Sequence, residues 1–474
     1  MAYITQNQFD TVIQPFRNTY AKINLLNFQF LTVDSLEGVV TECNISISAD
    51  ADVRRTCNVT MVVKDSSFNV EAGGKIWLDK YIQVFSGIED VLSGEIVWTN
   101  QGIYLINNPN HVFDATNNTI SFQGVDLMSK LTGLRNGYAN AMQTIIPIGS
   151  NIRDVMIETL ALGGFTKYTI SDNPQSVPYE IVVEKTATLY EILKKLRDIS
   201  PEYEMFFDIN GVFVYQLIPS GADDPIMLDN TALDKTLISI SNQVSFESVK
   251  NHVQLFGKAL APNYYGGEVS PVGDTYTVSI ANISTLAENL MFGFTAVTTV
   301  ANPKLKLVLN GTTYAAYPIV NEDGTPAVLP ANAQYYVVRY LGNGTFLYMG
   351  KQQISAVAED DNPDSPFYVN GSTGRISVIL SGGDYDNIVT DDLAQQRANY
   401  ELYLRARLQD SITITSVPIP WLDVNMKMRY TNETMGLDGT FLIKTISMSL
   451  VAGGTMTING SRFYPLYPYI KGAI

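Results

Sequence analysis

Gly102-Ile103-Tyr104-Leu105-Ile106 and Gly439-Thr440-Phe441-Leu442-Ile443 are two versions of one pattern, one near each end of the chain. Upstream of them stand Trp77-Leu78-Asp79 and Trp421-Leu422-Asp423. Downstream stand Thr119-Ile120-Ser121-Phe122-Gln123-Gly124 and Thr455-Met456-Thr457-Ile458-Asn459-Gly460. The interval from leading to trailing glycine is 22 positions in one copy and 21 in the other. The Trp-to-Gly interval, 25 against 18, differs by an amount a loop absorbs. In both copies apolar residues alternate with polar ones, the period of a half-buried strand. Three blocks in the same order favour duplication over chance. Duplication makes symmetry a functional argument, because three such chains would present six similar units in a ring.

The bulk composition agrees with a strand-rich chain. Of 474 residues, 27 are Tyr, 20 Phe, 34 Gly and 20 Pro, which favours strands and turns. That length accommodates three or four domains. Charged residues make up 16% against roughly 25% in soluble domains, so neighbouring subunits are expected to cover much of the surface. The net charge of −16 and the lack of a basic stripe exclude sequence-independent nucleic-acid binding. An acidic surface still lets DNA pass without adhering. No apolar run is long enough for a membrane span, and the start shows no secretory signal. Cys43 and Cys57 fall in neighbouring strands and read as two buried thiols rather than a disulfide.

Four segments are expected. Residues 1–135 form a first β unit, with strands at 28–33, 39–48, 55–64, 81–88, 94–99, 102–107 and 119–124 and a short helix at 125–132. Residues 136–245 form a small α+β domain. Its first helix is capped by Asn151 and stopped by Gly163-Gly164. Its second starts at the capping box Thr188-Leu189-Tyr190-Glu191, and a hairpin turns at Asn210-Gly211. Residues 246–262 and 383–474 form a discontinuous second β unit, including a helix over 391–408 with acids at its start and arginines at its end. Residues 263–382 form an inserted β-rich domain, since loop tips tolerate insertions.

The residues that carry chemistry argue against an enzyme. His111 and His252 are the only histidines. There is no zinc-binding His pair, nucleophile elbow or phosphate loop, and no metal or cofactor is called for. The acidic turn with Asp360, Asp361 and Asp364 lacks calcium-loop spacing and reads as solvated. Arg54 and Arg55, just after Asp50 and Asp52, read either as salt-bridge partners across a subunit interface or as an exposed strand-end charge cluster; Arg397 and Arg405 are expected at a subunit interface. The segment Phe463-Tyr464-Pro465-Leu466-Tyr467-Pro468-Tyr469 reads either as a partner-docking arm through Phe463, Tyr464, Leu466, Tyr467 and Tyr469 or as a tail folded back on its own domain. Tyr264, Tyr265, Tyr314 and Tyr317 are expected glycan contacts of the insert.

Three stretches, Arg54-Arg55-Thr56, Gly102 to Ile106 and Gln123-Gly124-Val125-Asp126-Leu127-Met128-Ser129-Lys130-Leu131, together with Asp391-Asp392-Leu393-Ala394-Gln395-Gln396-Arg397-Ala398 and the strands up to Arg462, resemble the baseplate or tail-tip hub proteins of tailed bacteriophages and related contractile injection particles. The likeness covers both ends and parts of the middle, but not 263–382. It implies a mainly β fold with α+β parts. Two tube-like β-barrel or sandwich domains arise by internal duplication, beside the small α+β domain and the inserted β domain. It also implies a homotrimer with pseudo-sixfold symmetry that adapts the hexameric tail tube, or a distal tail protein, on one face. A threefold spike, fibre or tip protein is implied on the other, around an acidic channel for DNA. The expected location is the virion tail tip or baseplate, after synthesis in the host cytoplasm. The alternative is a receptor- or glycan-binding tail protein acting through 263–382.

Overall fold

The computed structural model describes residues 4–36, 40–63, 65–139, 144–173, 175–178, 180–200, 202–218, 225–321, 323–351 and 353–464. The chain is mainly β. It divides into two compact units, one of Met1–Ser245 with the segment from Gln409 onward, the other Phe246–Leu408.

The first unit is organised around a wall of eight strands. Four come from the N-terminal part: β1 (Val40–Ser48), β2 (Arg55–Val62), β3 (Ile96–Phe113) and β4 (Asn118–Val125). Four come from the C-terminal part: β5 (Leu237–Ser245), β6 (Gln409–Ser416), β7 (Leu437–Ser449) and β8 (Met456–Arg462). Their order across the sheet is β5-β6-β8-β7-β1-β2-β4-β3. Each half therefore repeats the same path, and the halves meet where β7 pairs with β1. Alternation puts Cys43, Ile45 and Ile47 of β1, Ile412 and Ile414 of β6, and Met456 and Ile458 of β8 in one core. That core is completed by strands Thr19–Leu26, Tyr81–Glu89 and Lys427–Asn432 and by helices Gln6–Ile13 and Asn230–Thr236. Each such aliphatic side chain stabilises by about 1.5–3 kcal/mol relative to leaving it exposed.

β3 and β7 are the corner strands. The first half of β3 pairs with Tyr81–Glu89 and the second half with β4. The first half of β7 pairs with Lys427–Asn432 and the second with β8. Gly102, at φ 127°, lies where the pairing of β3 shifts register. This irregularity makes one long strand look like two in sequence. Of the apolar run read as a strand at 28–33, residues 28–31 form the turn between paired strands Thr19–Leu26 and Thr32–Ser35, and helix Gln6–Ile13, with its Thr5 capping box, precedes them.

The α+β elements have a core of their own. Asn151 accepts a hydrogen bond from Asp154 N, and Thr188 from Glu191 N, each at 3.2 Å. These caps start helices Ile152–Leu162 and Leu189–Ile199. The hairpin Tyr203–Phe207/Phe213–Leu217 buries Phe207, Phe213 and Tyr215 with Leu193 and Leu196. The helix expected at 125–132 is a single 3₁₀ turn, Leu127–Lys130, capped by Asp126.

The division of the chain differs from the sequence expectation. The α+β elements belong to the first unit, and the end of the 136–245 segment supplies β5. Residues 246–262 and 383–408 belong to the second unit. There His252–Ala259 pairs with Gln353–Glu359 and Ser377–Leu380, and Ala394 and Ala398 of helix Asp391–Arg405 join the same apolar cluster. The chain leaves the wall at Ser245 and returns opposite it at Gln409. The rest of the second unit is a seven-stranded sheet around Phe292, Phe294, Tyr336 and Phe346.

Candidate assembly surface

Strand pairing matches the two halves residue by residue. In the N-terminal half Ile45 lies opposite Cys57, Cys57 opposite Gly124, and Gly124 opposite Ile106. In the C-terminal half Asn242 lies opposite Ile412, Ile412 opposite Gly460, and Gly460 opposite Ile443. The glycines of the repeat are thus structurally equivalent. A Cβ on Gly124 would lie 2.4 Å from Cys57 Sγ, and one on Gly460 2.4 Å from Met428 Cε.

Between the halves, β7 and β1 form an antiparallel seam with Ser447 opposite Ser46, Met448 opposite Ile45 and Ser449 opposite Asn44. The equivalents of these two strands are β3 and β5, which lie at the two ends of the wall. Among the described residues, neither the outer edge of 107–113 in β3 nor that of β5 has a strand partner. Both are exposed there: Val112 at 44%, Phe113 at 79%, Ile238 at 57% and Val244 at 41%. A strand edge of this kind presents unpaired N–H and C=O groups to any chain able to pair with it.

The face of the wall turned away from the core is polar. One cross-strand row runs Ser241, Thr413, Asn459, Thr445, Ser48. Another runs Asn44, Asn58, Gln123, Asn107. Thr413 Oγ1 donates to Asn459 Oδ1 at 2.7 Å, and Asn459 Nδ2 to Thr445 Oγ1 at 2.8 Å. Among the described residues that this register places on the face, the charged ones are Glu42 in β1 and, at the start of β7, Asp438, which pairs with Arg429.

Arg54 and Arg55 are buried inside the first unit, 4% and 2% exposed, so neither is available to a neighbouring subunit as expected. Arg54 pairs with Glu204, and its guanidinium stacks 3.7 Å over the Phe206 ring. Glu204 also accepts from Asn425 Nδ2 at 2.6 Å and Gln216 Nε2 at 2.9 Å. Arg55 pairs with Asp423 and donates to the Phe207 carbonyl at 2.8 Å. Burial opposes the Arg55 charge, but Asp423, Tyr104, Asp126 and Asp208 together more than offset it, holding the guanidinium above its ordinary pKa. The Arg55 amide donates to Asp126 at 2.9 Å; burial nonetheless raises the pKa of Asp126. The two arginines therefore tie the β1–β2 link to the α+β hairpin and to the C-terminal half. A cavity of ≈ 260 Å³ opens beside them, lined by Gln101, Asp208, Trp421 and Asp423 among others. The aspartates of the two Trp-x-Asp blocks differ in role, since Asp79 pairs with its neighbour Lys80 at the surface.

Arg397 and Arg405 are both engaged on their own helix by Glu401, itself 3% exposed. Phe463 is half-buried beneath Lys427 Nζ at 4.7 Å, and Tyr464 is also half-buried. Leu466, Tyr467 and Tyr469 lie outside the described residues. Tyr264, Tyr314 and Tyr317 pack against the core of the second unit. Tyr265 is 54% exposed and stacks on Tyr335 at 5.3 Å. Sequence reasoning missed the two strand edges, which only the pairing reveals: β5 and the second half of β3 occupy the positions that β1 and β7 fill in the seam.

Residues 364–467 match DUF5048, a domain of unknown function. No curated protein matches the chain. Among solved structures, the chain is similar to the 43 kDa tail protein of prophage MuSo2 from Shewanella oneidensis. That match has 14% identity and a TM-score of 0.53, covering 93% of this chain and 98% of that one. It is also similar to the tail protein from Neisseria meningitidis MC58, at 10% identity and a TM-score of 0.50, covering 94% and 96%. No helix among the described residues is long and apolar enough to cross a membrane. With both chains covered almost end to end, the fold of this protein is that of phage tail proteins.

Proposed function

We propose that the chain is a structural hub of a phage tail tip or baseplate, acting as a homotrimer with pseudo-sixfold symmetry and without catalysis. The observation that supports this is the seam. β7 and β1 already join two equivalent four-strand sets within one chain, and the free edges β3 and β5 are the same two positions one step further on. Pairing β3 of one chain with β5 of the next repeats the seam and leaves no edge when three chains close. The register follows from the internal one: Asn110 opposite Gln243, His111 opposite Asn242 and Val112 opposite Ser241 of the next chain. A heterologous contact of this type closes into a ring when its rotation is a third of a turn, which the proposed trimer requires.

The two ends of the wall differ in symmetry. At one end the β3–β4 and β7–β8 turns, 114–117 and 450–455, recur in both halves. A sixfold tail tube, or a distal tail protein, meets six similar turns there. At the other end β1 and β2 are linked by residues 49–54, whereas β5 and β6 are linked by the whole second unit, 246–408. A threefold spike, fibre or tip protein fits that end. In this arrangement DNA passes through the ring without specific binding, and the protein resides in the virion tail.

Light scattering coupled to size exclusion tests the proposal. A mass near three times the 52.3 kDa of one chain, with six-lobed averages in electron micrographs, is expected. A monomer at every concentration, also when mixed with tail-tube protein, overturns it. A receptor- or glycan-binding role for the second unit now rests on the exposed Tyr265 and its stack on Tyr335. Glycan-array binding lost on Tyr265→Ala would support it.

A further inference from the structure

The polar face of the wall has a property the hub assignment does not use. The chain carries a net charge of −16, and with 16% charged residues a face built from eight strands would ordinarily bear several charges. Along its rows it bears Glu42, hydroxyl and amide groups and the aliphatic Val62 and Val112, with Asp438 confined to the start of β7. Resting on the hub reading, we propose that this face lines the central passage, so that DNA moves along a wall almost without fixed charge. The acidic channel expected from the net charge gives way to a neutral one.

The direction of the face follows from bulk. The opposite, core-side face is covered by strands Thr19–Leu26, Tyr81–Glu89 and Lys427–Asn432 and helices Gln6–Ile13 and Asn230–Thr236. In a closed ring such a covering layer needs the larger circumference, which lies outside. The polar face, bare except where the α+β elements cover Leu105 and Val125, is then inside. Its chemistry suits a moving polyanion. Lysines or arginines there would neutralise phosphates, release counterions and hold the duplex. A wall of carboxylates would raise a repulsive potential against entry. Hydroxyl and amide groups do neither, and in the row through Asn459 donors are already engaged, from Thr413 to Asn459 and from Asn459 to Thr445.

Two sets of variants of the full-length trimer test this. Asn58→Cys and Ser447→Cys place single thiols on the face, against a background of Cys43 and Cys57 that are both buried. In the trimer each introduced thiol is expected to react with a small maleimide but not with a maleimide carried on a protein too wide for the passage. Ser46→Lys with Thr413→Lys adds two lysines per chain and six per ring. That trimer should capture linear duplex DNA, with affinity falling about 10³-fold between 50 and 200 mM salt, whereas the unaltered trimer captures none. A trimer whose face thiols react with the wide reagent overturns the inward placement. Salt-dependent DNA capture by the unaltered trimer overturns the neutral wall. Failure to form any trimer counts against the hub reading instead.

Discussion

Arg55 shows how far a residue's chemistry depends on where the chain puts it. Its guanidinium is buried and paired with Asp423, so Arg55→Ala leaves a carboxylate facing a low-dielectric gap. Breaking a buried pair of this kind costs about 3–5 kcal/mol, to be read as a shift in urea midpoint, and Arg55→Met with Asp423→Leu should recover most of it. Arg405→Ala, on a pair whose arginine is 29% exposed, should cost only about 0.3–0.5 kcal/mol. Sequence singled out Arg54-Arg55 and the Trp421-Leu422-Asp423 block separately. It could not join them, because charge is visible in sequence and burial is not. The thiols were easier to read. Burial pushes the Cys43 pKa up to about 12 and that of Cys57 well above the ordinary range. Both thiols are therefore protonated near neutral pH, and alkylation by iodoacetamide at pH 8 should await unfolding.

The strand pairs decide which parts of the repeat tolerate change. At Gly124 an added Cβ meets the short side chain of Cys57 and the Tyr104 Cβ at 3.0 Å, neither of which can move far. At Gly460 the nearest atom is the flexible end of Met428. Gly124→Ala should therefore destabilise by about 1–3 kcal/mol and Gly460→Ala by less, as thermal or urea unfolding would show. At the free edges, Asn110→Lys with Gln243→Lys sets like charges opposite one another and should prevent the trimer while leaving the monomer folded. Asn110→Lys with Gln243→Glu should restore it, and mass by light scattering separates the three cases. The repeat was legible because its glycines and alternation survive in both copies. β5 was not, since Leu237–Ser245 is rich in Ser and mostly exposed; its strand character comes from pairing with β6 rather than from its own residues. The continuity of β3 across Gly102 was hidden for the converse reason, a local irregularity inside a long ladder.

Over the whole chain, the second unit occupies one hairpin link. Replacing 246–408 with a link like Ala49–Arg54 should leave the wall folded and the trimer intact, because Ser245 and Gln409 already face one another; circular dichroism and light scattering would show it. Loss of the ring in that variant would mean that the second unit takes part in assembly. Pattern reading placed an insertion here but set its limits at 263–382. His252–Ala259 alternates like a wall strand, and only its partners reveal that it belongs to the other unit. The β7–β1 seam has a further consequence, for the order of the assembly reaction. Half of the junctions in the proposed ring form within a chain, in a first-order step that needs no second molecule. Closing the ring then takes the association of three bodies where six unlinked halves would need six. At equilibrium the ratio of rings to free chains should accordingly fall with the square of the free-chain concentration rather than the fifth power, so the particle's tip can be built from a scarce protein.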